Sequence, residues 1–140
     1  DTSVSRGLGD VYKRQWSEYR AHAQERGSLA FELYCVITEP AGDVQLLEST
    51  LPDHLAYQNE REAAGDLVFA GPLSDETGTQ MIGMGMIIYR AESFEAAQAL
   101  AEADPMHAVG ARKFTLRRWM INEGSFGINV KLAGQHVTLA

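Results

Sequence analysis

Two periodicities alternate along this chain, and the changes between them mark its elements. Phe31 to Thr38 (FELYCVIT) is rich in aromatic and β-branched residues and stops at Pro40-Ala41-Gly42, which predicts a strand. Phe31, Leu33, Cys35 and Ile37 share one of its faces, and Tyr34 and Val36 the other. Both faces are apolar, as in a central strand. Thr50-Leu51-Pro52-Asp53 reads as a helix start, with Thr50 as the cap and Pro52 in the first turn. Leu47, Leu51 and Leu55 recur at i+4, so an earlier start is the alternative. Gly65 ends that helix, and Leu67 to Ala70 is a short strand closed by Gly71-Pro72.

Met81 to Tyr89 follows the polar turn at Ser74 to Thr79. Ile82, Met84, Met86 and Ile88 lie on one face of this strand, and Gly83, Gly85, Ile87 and Tyr89 on the other. Glycine inside a strand marks a bulge, tight packing or the close approach of a ligand. The glycine face is therefore a candidate cavity floor. Ser93 caps the next helix, whose packing stripe is Phe94, Ala97 and Ala101, and Asp104-Pro105 ends it. Phe114 to Ile121 is a fourth strand, and Phe126 to Leu132 with His136 to Leu139 form a terminal hairpin. Ser17 to Arg26 is a short helix before Gly27. The order strand, helix, strand, strand, helix, strand is the ferredoxin-like βαββαβ pattern, an α+β fold with an antiparallel sheet. The hairpin is expected to add an edge. Helices on one face leave the other in need of cover, and a second copy supplies it, so a homodimer is expected.

Composition narrows the function classes. The chain has 140 residues, 45% of them hydrophobic, enough for one modest core. Its net charge is -7 and it has no basic run, which argues against nucleic-acid binding. No apolar stretch approaches the roughly 18–20 residues of a membrane span, and no signal-peptide pattern is visible, so a cytoplasmic location is expected. The single Cys35 rules out an internal disulfide framework or a cysteine-rich metal site. No H-E-x-x-H, P-loop or G-x-G-x-x-G motif occurs. No cofactor and no metal are expected.

The first fifteen residues show neither period, and Asp10-Val11-Tyr12-Lys13-Arg14-Gln15 resembles the translated end of a sequencing-library transposon. The expected organisation is a non-native or disordered segment at 1–15 and an N-terminal extension at 16–30. A ferredoxin-like domain at 31–124 and a hairpin extension at 125–140 follow.

His54 is the first candidate for chemistry. Near the start of its helix it would face the positive end of the helix dipole, which favours a neutral imidazole able to act as a base. Asp104, where the next helix stops, either solvates that end or meets His54 and orients its ring. His107 lies three residues further on and is read as a loop histidine contacting a helix end, with cleft lining as the alternative. His22 and His136 read as surface residues. Arg117 and Arg118 are adjacent on a strand and face opposite sides. One of them either faces the cavity to hold an anion or belongs to a surface charge pair.

From about Phe31 to Glu123 the chain resembles the YCII-related family. The resemblance is carried by Leu51-Pro52-Asp53-His54-Leu55 and Leu67-Val68-Phe69-Ala70-Gly71-Pro72-Leu73. It continues in Ser93-Phe94-Glu95-Ala96-Ala97, in Ala103-Asp104-Pro105-Met106 and in the Phe114 to Trp119 strand. It implies a dimeric α+β barrel with a cleft whose active pair would be His54 and Asp104, and whose wall Gly71 and Pro72 would shape. One characterised type of relative eliminates HCl from a chlorinated hydroxyhydroquinone. The wider superfamily includes muconolactone isomerases and cofactor-free monooxygenases. The expected function is a cofactor-independent lyase or isomerase, with His54 as general acid/base and Asp104 as its orienting group. Gly71, Pro72, His107 and Arg117 would bind a small anionic or phenolic metabolite. The alternative is a non-catalytic dimeric small-molecule-binding module.

Overall fold

The computed structural model describes residues 14–139. The segment read as foreign, except Arg14 and Gln15, lies outside the described residues. The chain divides into two compact units, residues 32–119 and the flanking segments on either side.

The flanking unit contains α1 (Trp16–Glu25), which carries the buried Ala23. Beyond α1, the Arg20 Nε donates to the Ala30 carbonyl at 3.3 Å, and the Leu29 N–H donates to the Asn122 carbonyl at 3.2 Å.

The larger unit is built from β1 (Phe31–Pro40), α2 (Val44–Ala64), β2 (Leu67–Ser74) and β3 (Met81–Tyr89). It continues through α3 (Phe94–Ala103), the single turn α4 (Pro105–Ala108) and β4 (Arg112–Ile121). Two of these strands reach one or two residues into the flanking unit. The sheet order is β2-β3-β1-β4, with β3 antiparallel to both β1 and β2. This is the expected α+β, ferredoxin-like fold. β5 (Ile128–Lys131) and β6 (His136–Leu139), both in the flanking unit, form the terminal hairpin. The hairpin does not add an edge as expected. It is a two-stranded sheet of its own, because residues 122–127 leave extended pairing after Ile121.

Residue size along the helix-side face of the sheet sets what the larger unit encloses. Tyr34 pairs with Tyr89 and Val36 with Ile87 across β1 and β3. These four side chains pack with Ala97 and Ala101 of α3 into the buried core. The small alanines let the helix approach the aromatic rings closely. Further along the same face Thr38 pairs with Gly85, and Gly85 with Pro72. At that end these three residues present far less volume than the paired tyrosines.

Two boundaries differ from expectation, each with a physical reason. The long helix starts at Val44, with the Asp43 side chain accepting from the Leu46 N–H at 2.7 Å. Thr50 is not a cap, and Pro52 lies inside the helix. The earlier aspartate cap and the leucine stripe outweigh the backbone hydrogen bond that proline forfeits. β2 runs through Gly71 and Pro72 to Ser74. It is an edge strand, where a proline without an N–H is tolerated.

Candidate active site

The open end of the sheet face is a cleft of about 320 Å³ between the sheet and α2 and α4. Gly83 and Gly85 line it, together with Ala70, Gly71 and Pro72 of β2. The glycine alternation of β3 thus borders a cavity. A Cβ on Gly85 would meet only ordinary contacts, 3.4 Å from Thr38 Cγ2. Gly83 differs: its φ is +81°, and a Cβ there would lie 3.0 Å from Pro40 Cγ. Leu51, Leu55 and Met106 supply an apolar wall. The cleft is at the small end of the range for ligand sites, roughly 300–1,000 Å³.

His54 reaches this cleft from the middle of α2, ten residues in from Val44. The expectation that a helix N-terminus would act on the ring is therefore wrong, because the dipole's influence is confined to the first turn. A carboxylate acts on the ring directly. The His54 Nδ1 lies 2.8 Å from Asp104 Oδ1 and 2.9 Å from Oδ2. Asp104 is fully buried, and His54 is only 17% exposed.

Asp104 is held from two sides. Besides closing α3 it caps α4, its Oδ1 accepting from the Met106 N–H at 3.0 Å. The sequence reading places Asp104 at the end of α3, with contact to His54 as its alternative, and does not include this second helix. A buried carboxylate with fixed donors keeps the imidazole in the Nδ1–H tautomer and leaves Nε2 with its lone pair. Among the described residues Nε2 has no hydrogen-bond partner.

A second polar chain crosses the same cleft. The Arg112 Nε donates to Thr38 Oγ1 at 3.0 Å, and its Nη2 donates to the Thr38 carbonyl at 3.1 Å and to the Gly83 carbonyl. Thr38 Oγ1 lies 2.8 Å from His107 Nε2, and His107 Nδ1 lies 2.7 Å from the Ala101 carbonyl. A carbonyl only accepts, so Nδ1 carries the His107 proton. The Thr38 hydroxyl then donates to Nε2. Burial lowers the pKa of His107, and the bond to Ala101 and the Asp104 charge pull the other way. His107 also packs against Phe114, their ring centroids 4.6 Å apart and the ring planes tilted by 42°. It contacts the end of α3, as the sequence suggested, and also lines the cleft.

The expected arginine is not the one at the cleft. Strand alternation sets Arg112, Phe114, Leu116 and Arg118 on the helix side of β4 and Arg117 on the far side. Phe114 and Leu116 pack on the core, and the Arg118 guanidinium lies 5.9 Å from the Phe94 ring centroid. Arg117 donates instead to Thr115 Oγ1, two residues away on the far face. Thr38 and Arg112 were missed in the sequence. The parity of Tyr34 and Val36 points to Thr38, and a strand begun two residues before Phe114 would have included Arg112.

The YCII-related domain model matches residues 32–120, the whole of the larger unit. The chain belongs to the YCII-related family. It is similar to the uncharacterized protein YjpA of Bacillus subtilis (strain 168), with 30% identity over 70 residues, 50% of this chain and 75% of YjpA. It is also similar to a solved structure of 5-chloro-2-hydroxyhydroquinone dehydrochlorinase (TftG) from Burkholderia phenoliruptrix AC1100, in complex with 2,5-dihydroxybenzoquinone. That match has 25% identity, a TM-score of 0.48, and covers 61% of this chain and 92% of the other. None of the helices in the described residues is long and apolar enough to cross a membrane.

Proposed function

We propose that this member of the YCII-related family is a cofactor-independent lyase or isomerase in which His54 and Asp104 carry general acid/base chemistry. The observation that supports this most is the bond from the cleft-facing end of the pair to its fully buried end. A cleft-lining imidazole donates through Nδ1 to a carboxylate with no exposed surface. With Nδ1–H committed to Asp104, Nε2 takes a proton from a carbon or hydroxyl acid bound in the cleft. The carboxylate offsets the imidazolium that forms. The same proton then returns to another carbon, giving isomerisation, or the electron pair expels a leaving group, giving elimination. Neither route needs an oxidant or a metal. The substrate class is a small anionic or phenolic metabolite, with Gly71, Pro72 and His107 on the cleft wall.

The protein works, in this reading, as a cytoplasmic homodimer that does not bind nucleic acid. Phe69, Ile82 and Trp119, on the sheet face away from the helices, are each more than 40% exposed, and a second copy would cover them. Residues 16–30 and 125–140 extend the family domain at either end.

Hydrogen exchange tests the reading without knowledge of the natural substrate. Small enol-lactone and hydroxyquinone acids are incubated in D2O, and loss of the acidic C–H signal is followed by proton NMR. The protein accelerates exchange, and His54→Gln, which keeps an N–H donor for the buried Asp104, lowers the rate by about 10²–10⁴-fold. Exchange that is equal with and without protein contradicts the enzyme reading. Ligand-dependent rises in Tm without any exchange would favour the non-catalytic binding module.

A further inference from the structure

We infer that Arg112 is the anion anchor of the cleft, and that the ligand is a small oxyanion with an apolar body, such as an aryl carboxylate or an enolate. The inference rests on the reading of this cleft as the active site, and names the residue and charge that select its ligand.

Arg112 is a half-buried guanidinium whose hydrogen-bond partners among the described residues are all neutral oxygens: Thr38 Oγ1, the Thr38 carbonyl and the Gly83 carbonyl. Among the described residues no carboxylate lies within ion-pair distance of it, and the Asp104 and Glu39 charges favour its cationic form from farther away. Burial acts against that form most strongly, and an anion arriving from solution offsets the burial. Two of the three nitrogens, Nε and Nη2, are fixed by the threonine and the glycine. Nη1 has no partner among the described residues. The guanidinium is therefore held in place with donors left over, the arrangement that gives oriented charge-assisted bonds.

The holding groups account for sequence features that the acid/base pair leaves unexplained. Gly83 has a left-handed backbone, and with that backbone its carbonyl accepts from Arg112. Thr38 is a buried polar residue at the end of an otherwise apolar strand face. It joins Arg112 to His107, whose proton is committed to Ala101. The remaining walls are leucine and methionine side chains, which accept a flat apolar body and adapt to its outline. One end of such a ligand meets Arg112, and the body lies over Gly85 within the cleft that His54 lines.

Benzoate and its neutral isostere benzamide test the anchor by binding alone. The backbone amide signals of Gly85 and Met86 are followed by two-dimensional NMR in the full chain as each ligand is added. Benzoate gives saturable shifts, and benzamide binds about tenfold or more weakly, the scale of a charge-assisted bond. Arg112→Gln weakens benzoate about tenfold or more and leaves benzamide unchanged. Thr38→Val, which releases the Nε of Arg112 with little change of shape, weakens benzoate severalfold. It carries the test if Arg112→Gln does not fold. The anchor is overturned by equal affinities for the two ligands, by absence of a saturable benzoate shift, or by full benzoate affinity in the variant that folds. His54→Gln keeps benzoate binding. If exchange is insensitive to His54 while benzoate still depends on Arg112, the acid/base reading fails and the anchor stands.

Discussion

Tyr34 and Tyr89 face each other at one end of the helix-side sheet surface and are 3% and 1% exposed. Two residues beyond the Val36–Ile87 pair on the same strands, Thr38 faces Gly85, and a cleft opens. Both ends lie on the same paired strands, one packed against α3 and the other open between the sheet and α2 and α4. Side-chain volume separates them. Large rings against small helix alanines make a core, whereas a threonine and two glycines leave room for a ligand. Polar groups follow the same division. The core end is apolar apart from the tyrosine hydroxyls. The cleft end concentrates His54, Asp104, His107, Thr38 and Arg112, and among the described residues His54 Nε2 and Arg112 Nη1 are left without partners.

The sharpest way to separate the two ends is to change each and read both stability and chemistry. His54→Gln at the cleft end costs about 10²–10⁴-fold in proton exchange, with little change in Tm. Val36→Ala at the core end does the reverse. It removes two buried methyl groups and leaves a cavity, so unfolding in urea shows a loss of about 2 kcal/mol with exchange per folded molecule kept. Gly85→Ala has the opposite sign. Its new Cβ meets ordinary contacts, and the unfolded chain loses freedom, so stability rises by up to about 1 kcal/mol while the cleft narrows. A clear loss of stability there would mean that the cleft end is packed like the core.

A smaller effect comes from His107. Burial lowers its pKa from the ordinary 6.5. The charges of Arg112 and His54 add to that lowering, against Asp104 and the Ala101 carbonyl. The folded protein then binds fewer protons than the unfolded chain just below pH 6.5. This contribution to stability is present above that pH and is lost as pH falls through the lower folded value. Tm measured across that window falls with acidity, and His107→Gln flattens the slope. A slope of the same size in the variant would remove His107 as its source. The smallest effect is expected at the core end. The Tyr89 hydroxyl is buried without a hydrogen-bond partner among the described residues, and burial pushes its pKa well up. Tyr89→Phe removes an unsatisfied group and leaves stability unchanged or higher by up to about 1 kcal/mol.

Much of this arrangement is legible in the residues, and the gaps have physical causes. Period-2 alternation marks β1 and β3 with their faces, and Ser93 and Asp104-Pro105 bound α3 at both ends. Pro52 looks like a helix start because a first-turn proline and an interior proline carry the same local signature. Only the Asp43 cap, eight residues before the leucine at 51, distinguishes them. The separation of His54 and Asp104 by fifty residues hides their contact. It depends on how far α2 runs and on the extra turn α4, which local pattern does not register. Arg112 escaped notice because the apolar run of β4 begins at Phe114, whereas the strand's hydrogen bonding begins earlier. Arg117 drew attention through its adjacent charge, and strand parity alone sends it to the other face.

The chemistry proposed for this cleft depends on a buried carboxylate that fixes the tautomer of His54. Nitrogen-15 NMR of the His54 ring, in the protein and in Asp104→Asn, reads that tautomer. The neutral ring is expected to carry its proton on Nδ1 in the parent. In Asp104→Asn the amide can offer an N–H of its own, so the proton shifts toward Nε2 and proton exchange falls with it. A parent ring protonated on Nε2, or a tautomer indifferent to the aspartate, would rule out Asp104 as the group that orients His54.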